Sequence, residues 1–185
     1  VVHGLRIGGL ALARMRTALQ RAAPEPEVWP LVCVQLPVYN EPTVVERAVA
    51  AVGALDYPAM EIQVLDDSTD ATTDRAARAV RQLRARGIQA VHLRRDSRDG
   101  FKAGALASGL GHTEADLVAV FDADFVPDPG ALRRLVAPLA ADPSLAFAQA
   151  RWAHLNRDAS ALTRAQGALL DVHFAVEHVG RGRTG

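Results

Sequence analysis

Short apolar runs alternate with helix-period segments along this chain, and that alternation restricts the fold more than any other feature. "LVCVQLPV", "EIQVL", "IQAVHL" and "DLVAVF" read as strands, the first of them a β-branched run of the kind buried on both faces. "TVVERAVAAVGAL", "TTDRAARAVRQLRARG", "FKAGALASGL" and "PGALRRLVAPLAAD" follow them with helical spacing. Gly87 is a good stop for the second helix, and Pro129 stands near the first turn of the fourth. "SLAFAQA" predicts a fifth strand, and "DASALTRAQGALLDVHFAVEHV" a long last helix. The pattern predicts an α/β fold, a doubly wound, mostly parallel sheet flanked by helices. With 185 residues there is room for a single domain with a real core.

Residues 1–28 read differently. "VVHGLRIGGLALARMRTALQRAAP" has arginines at 6, 14, 16 and 21 and no acid. Arg6 and Arg14 break the apolar run, which is too short to span a bilayer. It reads either as a basic amphipathic helix on a membrane surface or as an ordinary first helix. Basic flanks favour the cytoplasmic side, and no signal peptide is evident. "APEPEVWP" at 23–30 reads as a linker. The expected organisation is a basic juxtamembrane helix and linker over 1–28 and the folded domain over 29–185. The start at Val1 and the ending "RGRTG" read as a C-terminally truncated fragment.

The formal net charge is zero, so nothing global points to nucleic acid. A single cysteine, Cys33, rules out an internal disulfide. Of the 21 Lys+Arg residues only Lys102 is a lysine, which suggests a place where a compact ammonium serves better than a planar fork.

Ligands of doubly wound sheets bind beyond the carboxyl ends of the strands. There the sequence gathers "PVYNE" (residues 37–41), "DDSTD" (66–70), "RRDSRDG" (94–100) followed by Lys102, and "DADF" (122–125). An extended segment would aim Asp122 and Asp124 the same way. Two carboxylates on one side make a hard-oxygen site for Mg²⁺ or Mn²⁺. Asp66 and Asp67 would face opposite ways; one is expected to accept from a base or ribose and the other to cap the next helix with Ser68 or Thr69.

Familiar nucleotide motifs fail. No glycine-rich turn follows the first strand, and "GFKAGALASGLG" lacks the G-K-[ST] of a phosphate loop. No cysteine pair or His-x-x-x-His pattern supports zinc. What remains is a nucleoside diphosphate site. Tyr39 offers a ring for a base. Glu41 and Asp67 offer acceptors. Lys102 offers a point charge for phosphate, and Asp122 and Asp124 hold the bridging cation. A unit-charge contact near 4 Å is worth roughly 4 kcal/mol at an effective dielectric of 20. Loss of one carboxylate could then cost on the order of a thousandfold in rate.

"QLPVYNEP", "VLDDSTD", "GFKAGAL", "FDADF" and "QARWAHLN" occur in the order and similar spacing found in family 2 glycosyltransferases. The chain most resembles the cellulose synthase-like branch, with its glucomannan mannosyltransferase and xyloglucan glucan synthase types, from about residue 31 to 179. The resemblance implies a GT-A fold, a Rossmann-like nucleotide half joined to an acceptor half. It implies inverting transfer of a hexose from a nucleotide sugar to a β-linked polysaccharide, with UDP-glucose favoured and GDP-mannose possible. Pro37, Tyr39 and Glu41 would line the nucleoside pocket. Asp67 would be the acid of the second motif in the catalytic centre, contacting the nucleotide. Lys102 would face the phosphates, and Asp122 and Asp124 the diphosphate and metal. Such enzymes are usually membrane proteins with the catalytic domain on the cytoplasmic face.

Two departures stand out. The family's catalytic base lies in a later E-D motif, which does not follow "DADF" here and is expected beyond Gly185. The later Q-x-x-R-W motif is also missing; "QARW" has one residue too few and comes too early. Trp152 is expected on the acceptor side or as a buried structural residue. The 185 residues alone are expected to lack transferase activity. A non-catalytic nucleotide-sugar-binding module is the main alternative. A receiver-type phosphoacceptor domain fits poorly, because its lysine follows the last acid and Lys102 precedes Asp122.

Overall fold

The computed structural model describes residues 23–150 and 158–172. Its elements run β1 (Val32–Val38), α1 (Val45–Val52), β2 (Met60–Asp66), α2 (Thr72–Ala85), β3 (Ala90–Arg94), α3 (Phe101–Leu110), β4 (Leu117–Val120), α4 (Ala131–Ala141) and α5 (Ala161–Val172). Everything up to α4 belongs to one compact unit, Pro24–Ala148; α5 belongs to another. α5 starts at Ser160, whose Oγ accepts the Thr163 N–H at 3.1 Å while Thr163 Oγ1 accepts the Ser160 N–H at 2.9 Å, a reciprocal cap.

The four strands form one parallel sheet in the order β3-β2-β1-β4. The chain steps outward from β1 to β3, then crosses back to lay β4 on the other side of β1. That reversal puts a topological switch point between β1 and β4, the place where ligands of such sheets bind. β1 is buried throughout except at Pro37, as expected for a strand covered on both faces.

The two faces differ. Val32, Val34, Leu36 and Val38 point into the main core with Ile62 and Val64, covered by Val45 and Val49 of α1, Val80 and Leu83 of α2, and Leu132 and Val136 of α4. α3 covers the opposite face, and there the strands carry an amide pair. Gln35 Nε2 donates to Gln63 Oε1 at 3.1 Å, and the two are register partners. Gln63 Nε2 donates in turn to His112 O at 3.2 Å, so the buried amides are satisfied at the end of α3.

Gly87 ends α2 as the sequence predicts. At φ +80° it lets its N–H reach Arg84 O at 2.9 Å and the Ile88 N–H reach Leu83 O at 3.1 Å, a Schellman stop. One expectation fails. Residues 144–150 carry no strand. Asp142 instead turns the chain by accepting the Ser144 N–H, and Leu145 and Phe147 are exposed, so the run buries too little to hold a strand. Residues 23–30, read as a linker, carry neither helix nor strand, and their last two residues pack on the domain. Trp29 packs edge-on against Tyr57, Arg133 lies over the Trp29 ring, and the Tyr57 hydroxyl donates to Pro30 O at 2.8 Å. The expected basic helix falls on residues 1–22, outside the described residues. Among the described residues no helix is long and apolar enough to cross a membrane.

Candidate active site

Pro37 shapes the sheet edge at this switch point. Leu31 O and Gln35 O accept from β4-side donors, whereas Val38 O accepts the Asp67 N–H from the β2 side. Alternation along the strand therefore turns the Pro37 nitrogen toward β4. Lacking an N–H, Pro37 cannot extend that ladder, which ends at Gln35↔Val120. The chain leaving β4 is released there and enters the acidic segment.

That segment is a turn. Phe125 N–H returns to Asp122 O at 3.0 Å, so Asp122 and Asp124 do not alternate on an extended strand as the sequence reading assumed. Ala123 between them is buried, while Asp124 is exposed. The two acids nevertheless act on one place. Burial pushes the Glu41 carboxyl above its ordinary value, the charges of Asp124 and Asp122 push it the same way, and Lys102 offsets part of the rise. Lys102, in the first turn of α3, is hydrogen-bonded to Asp122 Oδ1. Lys102 thus pairs with Asp122, and its charge also reaches Glu41 at the end of β1.

This donor set suits a hard cation. Among the described residues no three His, Cys, Asp or Glu side chains converge closely enough to hold an ion unaided. An ion of the Mg²⁺ or Mn²⁺ kind fits, because it takes one or two carboxylates and completes its shell with phosphate and water.

The ends of β1 and β2 are tied together. Asn40, at φ 53°, turns its backbone N–H to Ser68 Oγ at 2.9 Å, and its Oδ1 accepts the Thr69 N–H at 2.9 Å. A short amide side chain tolerates this left-handed geometry, and the turn presents Tyr39 to solvent, 40% exposed.

Asp66 and Asp67 do face different ways, but neither caps α2. The Thr72 N–H goes to Asp70 Oδ1 at 2.9 Å instead. Asp66 is fully buried and accepts from Ser68 N–H at 2.8 Å and from His92 Nε2 at 2.9 Å. Burial alone would raise its pKa, but the hydrogen bonds from His92 and Ser68 bring it down to about 2. Asp67 is held by Arg95, Nε to Oδ1 at 2.9 Å and Nη2 to Oδ2 at 2.5 Å. With 7% of its side chain exposed, Asp67 is first the anchor of the β3–α3 loop.

The structure therefore gathers Pro37, Tyr39, Glu41, Asp67, Lys102, Asp122 and Asp124 on the carboxyl edge of one sheet. Trp152 lies outside the described residues. Asn40, His92, Arg95 and Arg98 were not singled out from the sequence. The basic string "RRDSRDG" was the only hint to the arginines, and it does not say which acid each one meets.

The sequence profile of Glycosyl transferase family 2 matches residues 33–166. This chain belongs to that family. It is 41% identical over 155 residues to glucomannan 4-beta-mannosyltransferase 7 of Arabidopsis thaliana, covering 80% of this chain and 28% of that protein. It is likewise 41% identical to glucomannan 4-beta-mannosyltransferase 1 of Oryza sativa subsp. japonica, covering 80% of this chain and 30% of that one. The chain spans about three-tenths of the length of these curated relatives. Among solved structures, the mannosyltransferase PcManGT from Pyrobaculum calidifontis, in complex with GDP-Man and Mn²⁺, superposes with a TM-score of 0.65 at 28% identity, covering 77% of this chain and 43% of that one. S. aureus TarS 1-349 in complex with UDP shares the fold, with a TM-score of 0.52 at 21% identity over 60% of this chain and 32% of that one. The domain is a GT-A glycosyltransferase fold.

Proposed function

We propose that this chain is the donor-binding part of a glycosyltransferase that moves a hexose, with inversion, from a nucleotide sugar to a β-linked polysaccharide. The observation that carries this reading is the Lys102–Asp122 hydrogen bond at the switch point between β1 and β4, where the charges of Asp122 and Asp124 also bear on Glu41. Asp122 and Asp124 would hold the divalent cation. When bound, that ion acts as a Lewis acid on the leaving diphosphate. Lys102, once drawn off Asp122, supplies a point charge to the phosphates. Tyr39 stacks the base beside Pro37. Asp67 keeps a lone pair on each oxygen beyond its contacts with Arg95, and Glu41 is the second acceptor for base or ribose.

The sequence alone favoured UDP-glucose. The mannosyltransferase names of the plant relatives and the GDP-Man bound to PcManGT support GDP-mannose instead. A polysaccharide acceptor and a place at the cytoplasmic face of a membrane complete the reading.

Calorimetric titration of the chain with GDP and UDP, each with and without Mn²⁺ and repeated on Asp124→Asn, tests it. Metal-dependent binding of GDP, stronger than of UDP and lost in the variant, is the expected result. Stronger binding of UDP would return the donor to UDP-glucose. Metal-independent binding, or binding that survives Asp124→Asn, would sink the proposed metal site.

A further inference from the structure

The end of β3 and the β3–α3 loop carry three arginines, and two of them are committed. Arg94 donates to Ser68 O at 2.9 Å and lies 3.7 Å from Asp66. Arg95 is locked on Asp67 and also donates to Phe101 O at 3.1 Å. Arg98 is exposed, and its partners among the described residues are two aromatic rings. Its guanidinium carbon sits 3.4 Å from the centroid of Tyr39 and 5.0 Å from that of Phe101.

Packing does not account for this arrangement. Phe101 is 65% exposed and has φ 50°, a left-handed conformation that a bulky residue seldom adopts. It follows Gly100 at φ 70°, and its N–H returns to Arg98 O at 3.0 Å to close a turn. That turn holds the solvent-facing Phe101 ring beside the Arg98 guanidinium.

The guanidinium covers one face of the Tyr39 ring, and a base stacking on that face has to displace it. A separation of 3.4 Å leaves no space for a base between Arg98 and Tyr39. Exposed cation–π contacts are weak, and base-on-ring stacking is stronger. An arriving base therefore displaces the guanidinium. The side chain has no carboxylate partner to leave among the described residues, and its long stem lets it settle on the base from the other side.

We propose that Arg98 is the movable second wall of the nucleobase pocket. It covers Tyr39 while no base is present and stacks on the outer face of the base when the donor binds. The wider face of a purine is covered more fully than that of a pyrimidine, so Arg98 also favours a purine nucleotide. This rests on the reading of Tyr39 as the base platform.

The test is calorimetric titration of the full chain, Arg98→Met and Tyr39→Ala with GDP, UDP and inorganic pyrophosphate, all with Mn²⁺. Arg98→Met is expected to weaken GDP about tenfold, to weaken UDP by less, and to leave pyrophosphate unchanged. Unchanged GDP affinity in Arg98→Met would overturn the proposal. So would an equal loss for pyrophosphate, which makes Arg98 a phosphate contact, or tighter GDP binding, which makes it a simple plug. Failure of the underlying reading looks different: the unsubstituted chain then binds no GDP, or Tyr39→Ala binds it as well as the unsubstituted chain does, and Arg98 loses its role with it.

Discussion

Arg95 grips Asp67 at two points, Nε to Oδ1 at 2.9 Å and Nη2 to Oδ2 at 2.5 Å. The same side chain donates to Asp99 O at 2.9 Å, so one guanidinium joins the end of β2 to the loop that leads into α3. Both partners are largely buried, at 16% and 7% exposure. Lysine keeps the charge but not the fork, and we expect Arg95→Lys to cost about 1–3 kcal/mol of stability. Arg95→Ala leaves a buried carboxylate unpaired and is expected to cost about 3–5 kcal/mol. Urea denaturation measures both. Stability equal to that of the parent would mean that this pair does not hold the loop.

Sequence reading went far where the signal is local. Apolar runs such as "LVCVQLPV" announce strands because burial on both faces demands them. Asp122 and Asp124 stand out because acids at a strand end need a reason. Long-range pairings left no such mark. Gln35 and Gln63 are 28 residues apart and become partners only through the β1–β2 register. Arg95 and Arg98 stand three apart in one polar string, yet one meets a carboxylate and the other an aromatic ring. "SLAFAQA" has the composition of a strand, but Leu145 and Phe147 stay exposed, and composition does not show whether a run will be buried.

The Glu41 carboxyl makes a pH prediction. Burial and the charges of Asp124 and Asp122 raise its native pKa above the ordinary 4.5. An acid with a raised native pKa binds its proton more tightly when folded, so its charging destabilises the fold as pH rises through that pKa. Glu41→Gln removes this penalty. We expect its melting temperature to match the parent in acid and to exceed it near neutral pH, the gap opening above pH 4.5. Mn²⁺ should narrow the gap by stabilising the carboxylates. Melting curves from about pH 4 to 8, with and without Mn²⁺, cover the titration. A gap of the same size at every pH would remove Glu41 from the acidic cluster.

Asp66 has the opposite sign. Its native pKa is about 2 against an ordinary 3.8, so it contributes stability above 3.8 that is lost as pH falls toward 2. That difference amounts to about 2 kcal/mol. Asp66→Asn cannot titrate, so its stability should fall less steeply across this window than the parent's, the remaining slope coming from other carboxylates with lowered pKa such as Asp128 and Asp142. Denaturant midpoints measured over the same acid range decide it; parallel slopes would mean that other carboxylates carry the acid limb.

Gly109 marks how closely α3 approaches the sheet. A Cβ built there would meet Gln35 Nε2 at 2.5 Å and Gln63 Oε1 at 2.7 Å. Alanine would gain about 1 kcal/mol of helix propensity. Against that stand overpacking of about 1–3 kcal/mol and the disturbance of a buried amide pair, each unsatisfied group costing about 1–3 kcal/mol. The terms sum to a net loss of about 2 kcal/mol or more for Gly109→Ala. Gly111, at the end of the same helix, is the control, because its nearest neighbour would be Ser108 O at 3.4 Å, ordinary contact distance. Gly111→Ala should stay within about 0.5 kcal/mol of the parent. Urea denaturation of the two variants separates close approach from helix propensity: a comparable change at both positions would show that α3 can lift off the Gln35–Gln63 pair without cost.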